Sequence, residues 1–420
     1  IEYVYGGGNK AAYVPTGSYN TDGCLTDKTY FAEVLIEGCG NSIDYVYGGG
    51  NAAPVPATKV TIYGANAINN AFAGGNGAGQ STNPSAPNYN PGADVGYFGY
   101  YSQNGTGTPT YGTGETDIKI YGGTINNVYG GSNTLGYIRT HAYVEVLNVP
   151  DDHEGTVCEL HLGEVHAGGN QAEMNCGGSV TLACSEGAEV IYAGSSNADI
   201  HGNIDLVITS GTFGKIFGGN NHSGNVYGNI KIDIDETGCW PIMIGELYAC
   251  GNEAAYSVYG YNDDGTCKNS GDPIYEDPVI NLISFTRIGK EFGGGYAAAV
   301  YGNPIINIEP IPGVYAAGTP KPNYVLNGSD ERDVNTGNSS VADALGADKI
   351  GSIGTIYGGG NKGAVYGDTH VNIGLETTNK HISGDDKTTE KEVAVTITGD
   401  VFGGGNEAIV SGDTYVKIGK

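Results

Sequence analysis

The sequence predicts an all-β, single-domain parallel β-solenoid with three faces, about 25 residues per turn and loop insertions. Three observations lead there. A box consisting of an aliphatic residue, an aromatic, a short run of Gly or Ala and then Asn recurs from end to end, at Tyr5, Tyr47, Phe72, Tyr129, His166, Tyr192, Phe217, Tyr248, Phe292, Tyr315, Tyr357 and Phe402. A second aliphatic position follows eight residues later, as in Tyr357 to Val365, and an alternating segment such as Val371-Asn372-Ile373 comes next. That period of two belongs to a strand. Finally, no stretch keeps an i, i+3, i+4 apolar pattern through three turns of helix, because Gly interrupts nearly every candidate.

Each part of the unit has its own justification. The shortest repeats, Tyr47 to Phe72 and Tyr192 to Phe217, close in 25 residues, whereas a propeller blade needs roughly 40 to 50 with four antiparallel strands. Gly, Asn and Asp after each short strand supply the left-handed turns of the coil. Alternation points Val4, Val46, Val128, Ile191, Ile216, Leu247, Ile356 and Val401 inward, with Glu291 and Ala71 as exceptions to the aliphatic rule. The aromatics then face outward as a contact strip: Tyr5, Tyr47, Phe72, Tyr129, Tyr192, Phe217, Tyr248, Phe292, Tyr357 and Phe402. The reverse orientation, an internal aromatic stack, also suits a close-packed core. In the second box Met174, Ile200, Val226, Val300, Val365 and Val410 are expected inside.

Equivalent residues of successive turns lie above one another. The Asn that ends the first box therefore forms a structural corner ladder: Asn9, Asn51, Asn76, Asn133, Asn170, Asn221, Asn252, Asn361 and Asn406. Longer intervals mark insertions, which leave a solenoid at its turns. They are placed at residues 79–115, 319–349 and 375–392, each polar and rich in small residues, and the repeat resumes after each, so the chain 1–420 reads as one decorated domain.

Composition narrows the function. Forty-six acidic residues face 19 basic ones, for a net charge of −27, and such a surface repels phosphate backbones and anionic headgroups. Nucleic acid is therefore not an expected partner, and no apolar run reaches the roughly 20 residues of a membrane-spanning helix. The opening residues already read as mid-repeat, so a targeting segment is expected upstream. Eight Cys favour an oxidising compartment. Residues one turn apart meet the Cα separation of a disulfide, which suggests pairing Cys158 with Cys184 and Cys239 with Cys267, while Cys24 and Cys39 close an inserted loop. Cys176 and Cys250 occupy Gly-like places and are expected to be free.

Chemical motifs are sparse. The Gly-rich boxes lack the Lys and Ser/Thr before a helix that a phosphate loop needs. Inverting glycoside hydrolysis uses two carboxyl groups roughly 6.5–9.5 Å apart, and Asp205, Asp233 and Asp235 form the one trio that strand alternation and stacking would gather. A lyase for acidic sugars would want more basic residues than the regular turns hold. Asp151-Asp152, Asp263-Asp264 and Asp385-Asp386 offer oxygens to Ca²⁺, but their spacing matches no calcium loop. His166 and His201 replace Tyr within the boxes, and the sequence assigns no metal ligand and no cofactor.

The runs Val46-Tyr47-Gly48-Gly49-Gly50-Asn51, Val365-Tyr366-Gly367-Asp368-Thr369 and Val371-Asn372-Ile373-Gly374 resemble the Gly-rich repeats of large bacterial surface and secreted β-helix proteins, which include adhesins and autotransporter-type passengers. The resemblance covers most of the chain and carries over no catalytic residue. It implies an extracellular or cell-surface structural or adhesive protein, assembling with itself end to end or laterally, or binding a surface glycan or protein. The alternative is a polysaccharide-degrading β-helix enzyme, a hydrolase or lyase.

Overall fold

In the computed structural model, residues 1–13, 30–77, 93–96, 115–153, 157–236, 239–257, 277–308, 351–374 and 395–419 are described. The chain is all-β and winds as a parallel solenoid. One sheet of 12 strands gathers the first boxes, from Tyr3–Tyr5 to Val401–Phe402, and we call it the box sheet. A second, of 11 strands, gathers the alternating segments from Ala32–Ile36 to Thr414–Ile418, and we call it the ladder sheet. Every strand pair in both is parallel and joins one turn to the next, as Gly178–Leu182 joins Ile204–Ile208 and that strand joins Ile230–Asp235.

The third face is narrower than three strands per turn would make it. It consists mainly of single bridges, Val55 to Val95 to Ile138 to Met174 to Ile200 to Val226 and Val300 to Val365 to Val410. A two-stranded patch, Tyr256–Ser257 with Val300–Tyr301, is its widest part. In several second boxes Gly follows within two residues of the aliphatic, as at Ile200-His201-Gly202 and Val226-Tyr227-Gly228. Within the expected insertion 79–115, residues 93–96 lie on the third face, where Val95 bridges Val55 and Ile138. The spans 319–349 and 375–392 lie outside the described residues.

The core is aliphatic. Val46, Val128, Ile191, Ile216, Leu247 and Ile356 from the box sheet pack with Val180, Leu206 and Ile232 from the ladder sheet and with Met174, Ile200 and Val365 from the third face, all fully buried. Glycine is required where one turn's backbone rests on the next. A β-carbon on Gly48 would collide with the carbonyl oxygen of Ala73, so at this position the arc after Tyr47 closes only with glycine.

Two disulfides staple the corner between the ladder and box sheets, and they are not the pairs expected from one-turn spacing. Cys39 bonds Cys158, and Cys184 bonds Cys239. The chain between Val146 and Leu160 lies back across earlier turns: His153 stacks on Tyr63 with ring centroids 3.8 Å apart, and Gly64 makes room for the Cys158 sulfur. Cys158 thereby passes two turns to reach Cys39. Cys239 similarly reaches over Ser210, whose hydroxyl accepts the Trp240 N–H at 2.9 Å. Cys176 and Cys250 are free, the latter buried, and Cys24 and Cys267 lie outside the described residues.

Glu291 is the exception that the core tolerates. It stands in register between Leu247 and Ile356, is fully buried, and neither carboxyl oxygen has a hydrogen-bond partner. Burial pushes its carboxyl up to about 8, so the folded chain holds it neutral at pH 7. Because the folded value lies above the ordinary 4.5, this position is least costly below pH 4.5 and loses stability as pH rises through 8. At about 1.4 kcal/mol per unit, that span is on the order of 5 kcal/mol. Glu291→Leu should therefore raise urea stability over the parent by several-fold more at pH 8.5 than at pH 4.5, and an equal gain at both would contradict a neutral buried acid.

Candidate functional site

The outer side of the box sheet carries the feature with most organised chemistry. The last two residues of most box strands point to opposite sides yet are both buried, as Val46 and Tyr47 are. The aliphatic enters the core. The aromatic turns outward into the hollow formed where the Gly arc curls back and brings the corner Asn alongside. There the rings make one unbroken column of eleven: Tyr5, Tyr47, Phe72, Tyr129, His166, Tyr192, Phe217, Tyr248, Phe292, Tyr357 and Phe402. Successive centroids are 4.6–5.1 Å apart and successive planes lie within 17°.

This geometry corrects the expected contact strip. Rings stacked face to face along the axis use their flat faces on one another, so no flat surface remains for a sugar ring. Tyr47, Phe72, Tyr129, Tyr192, Phe217, Tyr248 and Phe292 are buried in two clusters separate from the aliphatic core; Tyr5 and Tyr357 are half-buried, and only Phe402 is largely open. Neither simple orientation holds: the rings are outside the aliphatic core and inside the protein. A solvent-facing stacked pair lies on the third face, where Tyr301 and Tyr366 are 49% and 43% exposed and stack at 4.8 Å.

The corner Asn residues line the column. Amide nitrogens donate to the carbonyl of the preceding turn at 2.8–3.0 Å, from Asn51 to Asn9, Asn76 to Asn51, Asn133 to Asn76 and Asn170 to Asn133, and again from Asn252 to Asn221 and Asn406 to Asn361. Some also reach the rings: Asn133 donates to the Tyr47 hydroxyl and Asn361 to that of Tyr248, both at 3.1 Å. Burial pushes the phenols of Tyr129 and Tyr192 up to about 12, and those of Tyr47 and Tyr248 higher still despite the Asn hydrogen bonds.

The ladder is interrupted at Ser196 and Tyr296, which hold the backbone place of Asn: Ser196 N–H bonds the Gly169 carbonyl and Tyr296 N–H that of Gly251. Tyr296 meets Tyr248 edge-on, with centroids 5.9 Å apart. The ammonium groups of Lys215 and Lys362 each lie 5.2 Å from its ring centre, and Glu246 holds Lys215 at 3.1 Å and Lys290 at 3.8 Å. Three lysines from three turns thus gather on a chain of net charge −27.

Within the acid trio, Asp233 and Asp235 are engaged by strand neighbours. Asp233 accepts from Lys231 at 2.6 Å and Asn281 at 2.8 Å, Asp235 accepts from Ser284 at 2.8 Å, and Asp205 faces Lys231 in register. Alternation brings Asp233 and Asp235 to one face, but strand neighbours occupy them. Of the paired aspartates proposed for Ca²⁺, Asp263-Asp264 and Asp385-Asp386 lie outside the described residues. Sequence reasoning missed one set of donors, Glu159, His161 and Glu186, because the third arrives a full turn after the others; the Glu-x-His alternation was the available signal. No protein-family model, curated protein or solved structure matches this chain.

His166 is the one imidazole in the column of rings. It is fully buried between Tyr129 and Tyr192, with Nε2 3.4 Å from Glu164 Oε2 and Nδ1 lacking a partner. Burial lowers its pKa below 6.5, outweighing the pull of Glu164. The stability linked to this neutral imidazole is present above pH 6.5 and lost as pH falls through the folded value. His166→Phe should therefore gain on the parent protein at pH 5 relative to pH 8 in urea unfolding, and no such pH-dependent gain would contradict a neutral buried ring. Phe217→Ala, which opens the column, should cost about 3–5 kcal/mol in the same measurement.

Proposed function

We propose that this chain is a non-enzymatic structural β-solenoid of a bacterial cell surface or extracellular filament. The observation that carries the reading is the ring column with its flanking amide ladder. These side chains bind each turn to the next along the axis, and a coil held in this way offers stiffness and length. The Val-Tyr-Gly-Gly-Gly-Asn repeats support the same setting through their resemblance to surface and secreted β-helix proteins. The partners that fit are other copies of the chain, side by side or end to end, or a surface glycan or protein. Tyr296 with Lys215, Lys290 and Lys362 is the contact point suited to an anionic group. Among the described residues no helix is long and apolar enough to cross a membrane.

The competing reading is a glycan-cleaving β-helix enzyme. What weighs against it is the engagement of Asp233 and Asp235 by strand neighbours, with Asp205 in register with Lys231. Antibody labelling of intact cells of the encoding bacterium should mark the outside or shed filaments, and a screen of polysaccharides, with and without Ca²⁺, should yield no new reducing ends or unsaturated products. Labelling only after lysis would remove the surface role, and sustained product formation would replace it with the enzyme.

A further inference from the structure

At the corner where the ladder sheet passes into the box sheet, Glu159, His161 and Glu186 bring one donor atom each to within 4.8 Å of one another. Glu159 and His161 are two residues apart at the start of the strand Leu160–His166, so their side chains share a face. Glu186 immediately precedes Gly187–Tyr192, the next strand of the same sheet. His161 Nε2 and Glu159 Oε1 are 3.5 Å apart. That is close to the edge of a first-row coordination shell, since bonds of about 2.0–2.1 Å at tetrahedral angles put neighbouring donors roughly 3.3–3.4 Å apart.

The backbone beneath these groups is held on both sides. The Glu159 carbonyl accepts the Gly123 N–H at 3.1 Å and the Glu186 carbonyl accepts the Thr212 N–H at 2.8 Å. Glu159 directly follows Cys158 of one disulfide, and Glu186 lies two residues after Cys184 of the other. Donors on stapled strand ends keep their spacing better than donors on loops. The set also differs from a solvated acidic patch. It contains an imidazole, and among the described residues neither carboxylate is paired with Lys or Arg, although Glu33, Glu145, Glu246 and Asp233 each are.

We propose that Glu159, His161 and Glu186 form a surface site for a first-row divalent cation of the Zn²⁺ type, with its remaining positions open to water or to a ligand from a partner. The imidazole selects such an ion over Ca²⁺ and Mg²⁺, which take oxygen ligands. Because the donors come from two successive turns, the ion acts as a third clamp on the corner already held by two disulfides. A ligand bound only by the folded state raises stability by mass action.

The test is calorimetric titration of the whole chain with Zn²⁺ and, separately, Ca²⁺, followed by thermal unfolding with and without Zn²⁺. The wild type should bind Zn²⁺ more tightly than Ca²⁺ and unfold at a higher temperature in its presence. Loss of an outer-sphere partner weakens metal sites by roughly 10–100-fold, and loss of a ligand costs at least as much. His161→Ala and Glu186→Gln should each weaken Zn²⁺ binding by about tenfold or more and abolish the thermal gain. Both side chains are exposed, so the metal-free variants should unfold where the metal-free wild type does. Unchanged Zn²⁺ affinity in the double variant, or Zn²⁺ bound no more tightly than Ca²⁺, would overturn the site.

Discussion

The structure depends on one constraint: parallel strands one turn apart lie about 4.8 Å from each other, so each side chain has its own counterpart above and below. A position is stable in such a coil when its residue stacks on copies of itself. Flat rings meet that demand, and the column holds centroids 4.6–5.1 Å apart through eleven turns. Primary amides meet it too, since Asn has a donor to give one way and an acceptor to offer the other. Glycine meets it where backbone rests on backbone. The repetition of the sequence is thus the repetition of a contact.

Much of this was legible because it follows from periodicity. Alternation put Val46, Leu247 and Val365 in the core, and the box-to-box interval set the length of a turn. What escaped were features that do not repeat. The disulfides follow excursions that lie back over one or two intervening turns, which spacing along the chain does not encode. The third face contracts mainly to single bridges, which the spacing of the second box does not reveal. The rings escaped for a different reason: alternation recognises two sides of a strand, whereas Tyr47 and its counterparts enter a second enclosed space made by the arc that follows them. The acids at Asp233 and Asp235 were placed on the right face, but only the structure gives them to Lys231, Asn281 and Ser284.

Departures from the pattern are where individual chemistry enters. His166 puts a titratable ring into the column, Glu291 puts an acid among aliphatics, and Tyr296 replaces an amide in the corner ladder and draws lysines around it. Each sits at a place whose neighbours in adjoining turns obey the rule. Their environments are therefore set by the coil rather than by local sequence, which is why a neutral Glu291 and a neutral His166 arise within one chain. The same logic makes a corner cluster such as Glu159, His161 and Glu186 a product of stacking, invisible until turns are placed in register.

The central claim is that the box aromatics form an enclosed column rather than a surface. Mild nitration of the native protein at neutral pH, with each modified tyrosine located by mass spectrometry, tests it most directly. Tyr301 and Tyr366 on the third face should react, while Tyr47, Tyr129, Tyr192 and Tyr248 remain unmodified until the chain is unfolded. Reaction of the column tyrosines at the rate of Tyr301 and Tyr366 in the folded protein would contradict the account.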